Sequence, residues 1–485
     1  MDTNQKQGFL NSILTMMTGT VLAQIITLLS TFLLSRLYGP ADFGELALFI
    51  SLSGIVGIIS SFSYELAIVI PKKDEEAFSI VFIGFIIVLI VTVVTSLVIG
   101  LSYFYYGQDR SWNSIWLIMF PINIFFMGIY QILNYWSTRQ KRFRLLSNSK
   151  IVQSFGIVGF QLVLGMYVIK DSIGLIVGQT VGQILGVFVI IVFTLKRDRL
   201  FFKKEFNWEA IKGILKKYKD FPIYSTPSNL LNYFSQQLPI LILSFFFGSV
   251  ISGYYSMAYR LLAAPMSLIG SSVAQVFFPT ASKIKNKKNM GNFTFEIFKT
   301  LFVIGQLPFC ILIIIAPELI SLFLGDKWIV SGEYLQWLSL WLLFVFITSP
   351  ISQLYAILAK QRVALIFNVC TFTLRFLVLA FGGLLNNPNL SIGLFGCIGA
   401  ISMFVQCVYL LKLVQIEIGI IIRFFISKIL MTIPILVVIS TLKIVFSINI
   451  VVLTIISMIL ILLSYGIHFK EKIKNSILKN EVLNK

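Results

Sequence analysis

Two arginines lie in stretches that should hold almost no water. Arg260 falls within YYSMAYRLLAAPMSLIGSSVAQVFF (254–278) and Arg375 within TFTLRFLVLAF (371–381), both in apolar runs of bilayer-spanning length. An arginine at the centre of a membrane helix costs about 2.5–3.5 kcal/mol on insertion scales, so something must compensate for it. A guanidinium grips phosphate through two parallel N–H···O bonds, which a lysine cannot reproduce. One carboxylate, Glu65 in SFSYELAIVI (61–70), is also embedded. The amides Gln24, Asn123, Gln131, Asn134, Asn232, Gln236, Gln237, Gln275, Asn368 and Gln406 complete the polar set at membrane depth. Two guanidinium groups against one carboxylate leave an excess of positive charge. That excess suits an anionic passenger such as a phosphate and repels a cationic drug. Amides suit a passenger rich in hydroxyls, such as a sugar.

Each residue also has a plainer reading. Arg260 lies seven positions past Gly253, about 10 Å along a helix, so its side chain can snorkel to the nearer interface. Arg375 is thirteen positions past Arg362, about 20 Å in, where pairing with a buried carbonyl or carboxylate is the alternative. Glu65 can serve as a partner for an arginine, or as a protonatable coupling or gating group. Amides inside membrane helices often join neighbouring helices. Gln24, Glu65, Asn232, Gln236, Gln237, Arg260 and Gln275 are nevertheless concentrated in the runs that open each half of the chain, which argues for a shared cavity.

Other chemistries lack their residues. There is no P-loop and no H-E-x-x-H, and the single histidine, His468, closes the last apolar run. Cys310, Cys370, Cys397 and Cys407 all lie in apolar segments and form no C-x-x-C pair, so no metal site or disulfide framework is indicated. The sequence calls for no cofactor and no catalytic group, and the chain reads as a non-enzyme.

What must position these residues is a membrane scaffold. Of 485 residues 57% are hydrophobic and 12% charged, about half the charged fraction of a soluble chain, and mean hydropathy is +0.91. Fourteen apolar runs are long enough to cross a bilayer, the first at about 9–35 and the last at about 447–468. Each should be a helix, because lipid leaves no backbone group a partner outside its own segment. The expected fold is an all-α polytopic membrane protein. Residues 1–195 would form a lobe of six spans, 196–219 a basic amphipathic cytoplasmic linker, 220–415 a second lobe of six, and 416–485 two further spans and a basic tail. No cleavable signal peptide is expected at the polar N-terminus.

Net charge is +19, which in a soluble protein would suggest nucleic acid. Here the basic residues cluster in short segments between apolar runs, so anionic lipid headgroups are the expected partners and nucleic acid is not. PKKDEE (71–76), RQKRFR (139–144), the stretch 196–219 and KIKNKK (283–288) all fall on one side if the N-terminus is cytoplasmic. The other side holds only Arg36, Arg110, Lys170, Lys327 and Lys443. Both termini are therefore expected in the cytoplasm. The largest outer connection is expected at 317–332, as a broken or interfacial helix.

The halves repeat. LYGPADFGELALF (37–49) and FFGSVISGYYSMA (246–258) each carry G-x-x-x-x-G, with Gly39 and Gly44 in the first and Gly248 and Gly253 in the second, at the outer turn of the first hairpin of each half. STRQKR (137–142) and LAKQR (358–362) echo one another at the inner ends of spans 4 and 10. Repeated halves around a central cavity are a transporter architecture.

LLSRLYGPADFGELALFISLSGIVGIISSFSYELAIVIPKKDEEA (33–77) strongly resembles the N-terminal region of Wzx-type polysaccharide-biosynthesis flippases, of the multidrug/oligosaccharidyl-lipid/polysaccharide exporter superfamily. GYYSMAYRLLAAPMSLIGSSVAQVFFP (253–279) is similar to their eighth span. The resemblance implies two six-helix lobes in a V, with two C-terminal helices appended. It implies transfer of an undecaprenyl-diphosphate-linked oligosaccharide from the cytoplasmic to the outer leaflet of a bacterial inner membrane, by alternating access. A cationic cavity would hold the diphosphate and glycan while the tail stays in lipid. Polysaccharide polymerase machinery would be a partner. Arg260 lies in the second matched stretch, and Tyr64 and Glu65, as coupling or gating residues, in the first. Arg375 lies outside both and rests on the charge argument alone. The alternatives are a lipid II flippase or a drug/cation antiporter of the same superfamily. The antiporter would want more embedded carboxylates. A glycan polymerase would need a large outer loop, which this chain lacks.

Overall fold

A computed structural model describes residues 3–106, 114–198, 208–446 and 448–483, and among them the only regular structure is helical. The helices are α1 (Thr3–Leu37), α2 (Pro40–Ile59), α3 (Asp74–Tyr106), α4 (Ser114–Arg139), α5 (Phe143–Tyr167), α6 (Ser172–Arg197), α7 (Trp208–Lys217), α8 (Thr226–Lys283), α9 (Lys287–Leu324), α10 (Ile329–Ile351), the single turn α11 (Leu354–Ile357), α12 (Gln361–Leu384), α13 (Pro388–Leu413), α14 (Ile418–Ile444) and α15 (Ile450–Leu483). Among the described residues twelve helical segments are long and apolar enough to cross a membrane, and Ile450–Gly466 is a shorter apolar one. α8 breaks at Gly248, where φ is 80° and ψ −174°, so it supplies two of the expected spans. The helices follow the expected runs, in a number close to that expected, and the chain is a multi-pass membrane protein.

Local chemistry sets the boundaries. Gly39 caps α2, Pro40 occupies its first position, and the Asp42 carboxylate accepts a hydrogen bond from the Gly39 N–H at 2.7 Å. Asp171, Asn286 and Asn387 cap α6, α9 and α13 with their own side chains, which accept from the backbone N–H of Ile173, Lys288 and Leu390. The connection expected at 317–332 is nearly all helix. α9 runs to Leu324, Gly325 turns the chain at φ 101°, and a 3-10 turn at Asp326–Trp328 leads into α10. The apolar character of PELISLFLGDKW lets helix continue through it, broken at Gly325, in line with the expected broken helix.

The chain forms two compact units, Met1–Ser256 and Met257–Lys485. In the first, α5 and α6 pack closely because Gly178 and Gly182 lie against the backbone of Gln161 and Ile157. Its main apolar cluster gathers residues of α3, α4, α5, α6 and α7 around Trp136, Ile80, Ile132 and Leu146. In the second, Phe298, Phe302, Phe344, Phe404, Phe424 and Phe425 interlock edge to face or tilted across α9, α10, α13 and α14. The C-terminal α14 and α15 rest on α9 through Leu307, Ile311, Ile439 and Leu453.

The basic segments of the first unit converge at one end. Arg139 at the end of α4 bridges to Asp74 at the start of α3 (2.8 Å) and donates to the Pro71 carbonyl. Arg142 makes a two-pronged pair with Asp198, at 2.6 and 2.5 Å, and Trp136 donates to the same carboxylate at 2.8 Å. Burial pushes the Asp198 carboxyl up. The hydrogen bonds from Arg142 and Trp136 and the charges of Arg142 and Arg197 outweigh that and hold it below the usual range.

Candidate functional site

Glu65 is not in a continuous membrane helix, as its apolar surroundings suggested. α2 ends at Ile59, Phe62 and Ser63 take left-handed backbone (φ 46° and 56°), and Glu65 lies in the 3-10 turn Tyr64–Val69. Two successive non-glycine residues with positive φ are strained, and the surrounding contacts hold them there. The Ser63 hydroxyl lies within hydrogen-bonding distance of Thr226 Oγ1 (3.1 Å) and Asn229 Nδ2 (3.4 Å) at the start of α8. The buried Glu65 carboxylate accepts from Ser61 Oγ at 2.6 Å, and Ser61 also faces Gln131 on α4. Tyr64 is buried, with its hydroxyl 3.5 Å from the Leu215 carbonyl on α7. The run SSFS at 60–63 is the sequence signal for this break, since serines can bond locally in place of a helix.

The amides divide. Gln237 Oε1 accepts from Ser51 Oγ at 2.8 Å and so joins α8 to α2. Asn232 and Gln236 are exposed and face each other one helical turn apart, at 3.4 Å. Gln24 is half-buried on α1. The side chain of Gln275 lies outside those described.

Both arginines belong to the second unit, and Arg375 sits on an aromatic stack that includes Tyr259, the residue before Arg260. Tyr259, the neighbour of Arg260 on α8, stacks on Trp341 of α10 with ring centroids 6.2 Å apart. The Arg375 guanidinium on α12 lies 4.8 Å from the centre of that indole and 5.3 Å from the Phe395 ring of α13. Trp341 and Phe395 meet edge to face at 5.0 Å. Trp341 is buried, whereas Tyr259 is 41% exposed. Arg375 is thus held by cation–π contact, and a planar guanidinium stacks on aromatic faces better than an ammonium does. Sequence reasoning found both arginines but missed Tyr259, Trp341 and Phe395. They come from three different helices, and nothing in their spacing announces the contact.

Residues 33–333 match the profile of a family described as "Polysaccharide biosynthesis protein". The chain belongs to that family. Its members of Wzx type are the ones that the stretches 33–77 and 253–279 resemble. Among relatives, a Klebsiella pneumoniae membrane protein of the cps region is 26% identical over 80% of this chain and 79% of its own length. The Escherichia coli lipopolysaccharide biosynthesis protein WzxC is 26% identical over 34% of this chain and 33% of its own. The Bacillus subtilis teichuronic acid biosynthesis protein TuaB is 23% identical over 32% of each. Among solved structures, the lipid II flippase MurJ in an inward closed conformation superposes with a TM-score of 0.73 at 19% identity, covering 94% of this chain and 99% of MurJ. An inward-facing MATE multidrug transporter gives 0.59 at 14%, covering 81% and 94%. At these identities the two structures establish the fold. Tyr64, Glu65, Asn232, Gln236, Gln237, Arg260 and Gln275 lie within the family match; Gln24 and Arg375 lie outside it.

Proposed function

We propose that this polysaccharide-biosynthesis family member is a flippase. It would carry an undecaprenyl-diphosphate-linked oligosaccharide from the cytoplasmic to the outer leaflet of a bacterial inner membrane, by alternating access and without covalent chemistry. Family membership over residues 33–333 carries the reading, and the flippase fold shared with MurJ supports it. Arg260, inside the family match, is assigned the diphosphate, which a guanidinium takes in two-pronged fashion. Arg375, gripped by Trp341 and Phe395, would add a second, pre-oriented positive charge. Asn232 and Gln236 present exposed amides that suit sugar hydroxyls, and Gln24 and Gln275 are assigned to the same role by residue type. Glu65 and Tyr64, in the strained turn tied to α8, would gate or couple the cycle. In this arrangement both termini are cytoplasmic, and the product is delivered to polysaccharide polymerase machinery.

The likeness to MurJ favours one second reading, transport of lipid II, which travels on the same class of diphosphate carrier. Reconstitution into liposomes with fluorescent polyprenyl-diphosphate sugars decides between them. The expected result is protein-dependent movement of an oligosaccharide-bearing carrier that an excess of lipid II does not abolish. Movement of lipid II alone would replace the proposal with the second reading, and movement of neither would remove both.

A further inference from the structure

The linker 196–219 is expected to be basic and amphipathic, and its described part from 208 contains α7. α7 turns its apolar side into the first unit. Ile214 and Tyr218 are 8% and 6% exposed and join the apolar cluster around Trp136, with Leu215 packed beside them. Lys217 bridges to Glu76 at 2.5 Å, and the Tyr218 hydroxyl donates to the same carboxylate at 3.1 Å. The helix is therefore docked on the start of α3. That is the end at which α4 and α6 also finish, joined by the Arg139–Asp74 and Arg142–Asp198 pairs. Because α3, α4 and α6 are long and apolar enough to cross a membrane, α7 is held at the end where they would emerge from it.

A docked helix fixes what its other side presents. Lys212 and Lys216, four positions apart on one helical face, and Lys219 in the turn that follows are all exposed. Exposed Lys72, Lys73, Lys141, Arg144, Lys196 and Arg197 occupy the same end. Asp74, Glu76 and Asp198 are each already paired with a cation, and Glu75 and Asp220 are the exposed acids nearby. The excess at this end is strongly positive.

We infer that Lys212, Lys216 and Lys219 form a docking face for anionic phospholipid headgroups, held rigid by the Glu76–Lys217 clamp. Clusters of basic residues at a membrane surface bind anionic lipid through charge, and a pre-ordered helix loses less freedom on binding. The inference does not depend on what the protein transports.

The test uses the full-length protein in mixed micelles of phosphatidylglycerol and phosphatidylcholine, with retained lipids counted by native mass spectrometry. Wild type should retain phosphatidylglycerol preferentially. The variant Lys212→Gln/Lys216→Gln/Lys219→Gln should lose that preference several-fold while staying monodisperse. Glu76→Gln should weaken it with all three lysines present. Removing equal charge elsewhere, with Lys283→Gln/Lys285→Gln/Lys287→Gln, should leave most of it. Equal losses in the two triple variants would reduce the effect to net charge and overturn the inference. So would an unchanged preference in the α7 variant, or tighter binding of soluble polyglutamate than of phosphatidylglycerol at physiological salt.

Discussion

Gly44 and Gly253 meet backbone to backbone. A side chain on Gly44 would fall on the Ser249 carbonyl, and one on Gly253 would fall on the Pro40 carbonyl. Pro40 and Ser249 stand 209 positions apart, as do Gly44 and Gly253, so the G-x-x-x-x-G repeat packs against its own copy with two-fold-like reciprocity. Neither carbonyl can move without moving its helix. Gly44→Ala and Gly253→Ala should each destabilise the protein by about 1–3 kcal/mol, the usual range for overpacking. Gly100→Ala, on a face of α3 with open space around it, should be close to neutral. Thermal unfolding of the three purified variants in detergent checks this, and a Gly44→Ala protein as stable as Gly100→Ala would contradict the crossing.

The aromatic grip on Arg375 makes a structural role separable from a binding one. Lysine preserves the charge but not the planar stacking. Arg375→Lys should therefore lose part of a cation–π contribution of about 0.5–2 kcal/mol and shift the fluorescence of the protein through Trp341. If Arg375 binds the diphosphate, Arg375→Ala should also stop surface-polysaccharide assembly in cells while membrane abundance stays near wild type. A variant that folds less well yet transports normally per molecule would leave Arg375 a packing role only.

How far these sites were legible differs along the chain. Long apolar runs announced nearly every helix, because lipid permits a spanning segment few other forms. The clustering of PKKDEE, RQKRFR and the 196–198 stretch at one end was also readable, since charge asymmetry reports sidedness. The helix break before Glu65 was not legible because hydropathy averages over the serines at 60, 61 and 63, where the backbone leaves the helix. α7 was read as amphipathic, but its periodicity does not say whether the apolar face meets lipid or protein. The stack around Arg375 was invisible, since contacts across three helices leave no local pattern.

The Arg142–Asp198 pair carries a pH signature. Asp198 is held below its ordinary value in the folded protein, so the folded state binds fewer protons than the unfolded one near that pH. Its contribution is fully present above the unfolded value, about 3.9, and is lost as pH falls through the depressed folded value. Side-chain exposures of 12% and 5% make this a largely enclosed pair, and removing one partner of such a pair costs about 3–5 kcal/mol. Asp198→Asn should lower the midpoint of unfolding at neutral pH and flatten its decline in acid. An acid limb as steep in the variant as in wild type would mean other carboxylates control it.

Arg260 offers the sharpest test of the transport proposal. It lies within the family match and beside Tyr259, which stacks on the indole that holds Arg375. If recognition needs only a positive charge, Arg260→Lys should retain a sizeable part of flipping while Arg260→Ala loses nearly all. If two parallel hydrogen bonds to a diphosphate are required, Lys should fail almost as badly as Ala, because an ammonium is a point charge without the planar fork. Both variants are compared in liposomes with the same fluorescent carrier, after confirming equal insertion. The diphosphate assignment expects the second pattern, and it expects apparent affinity for the carrier to fall in step with the rate. Full activity in Arg260→Ala would place the anion-binding group elsewhere.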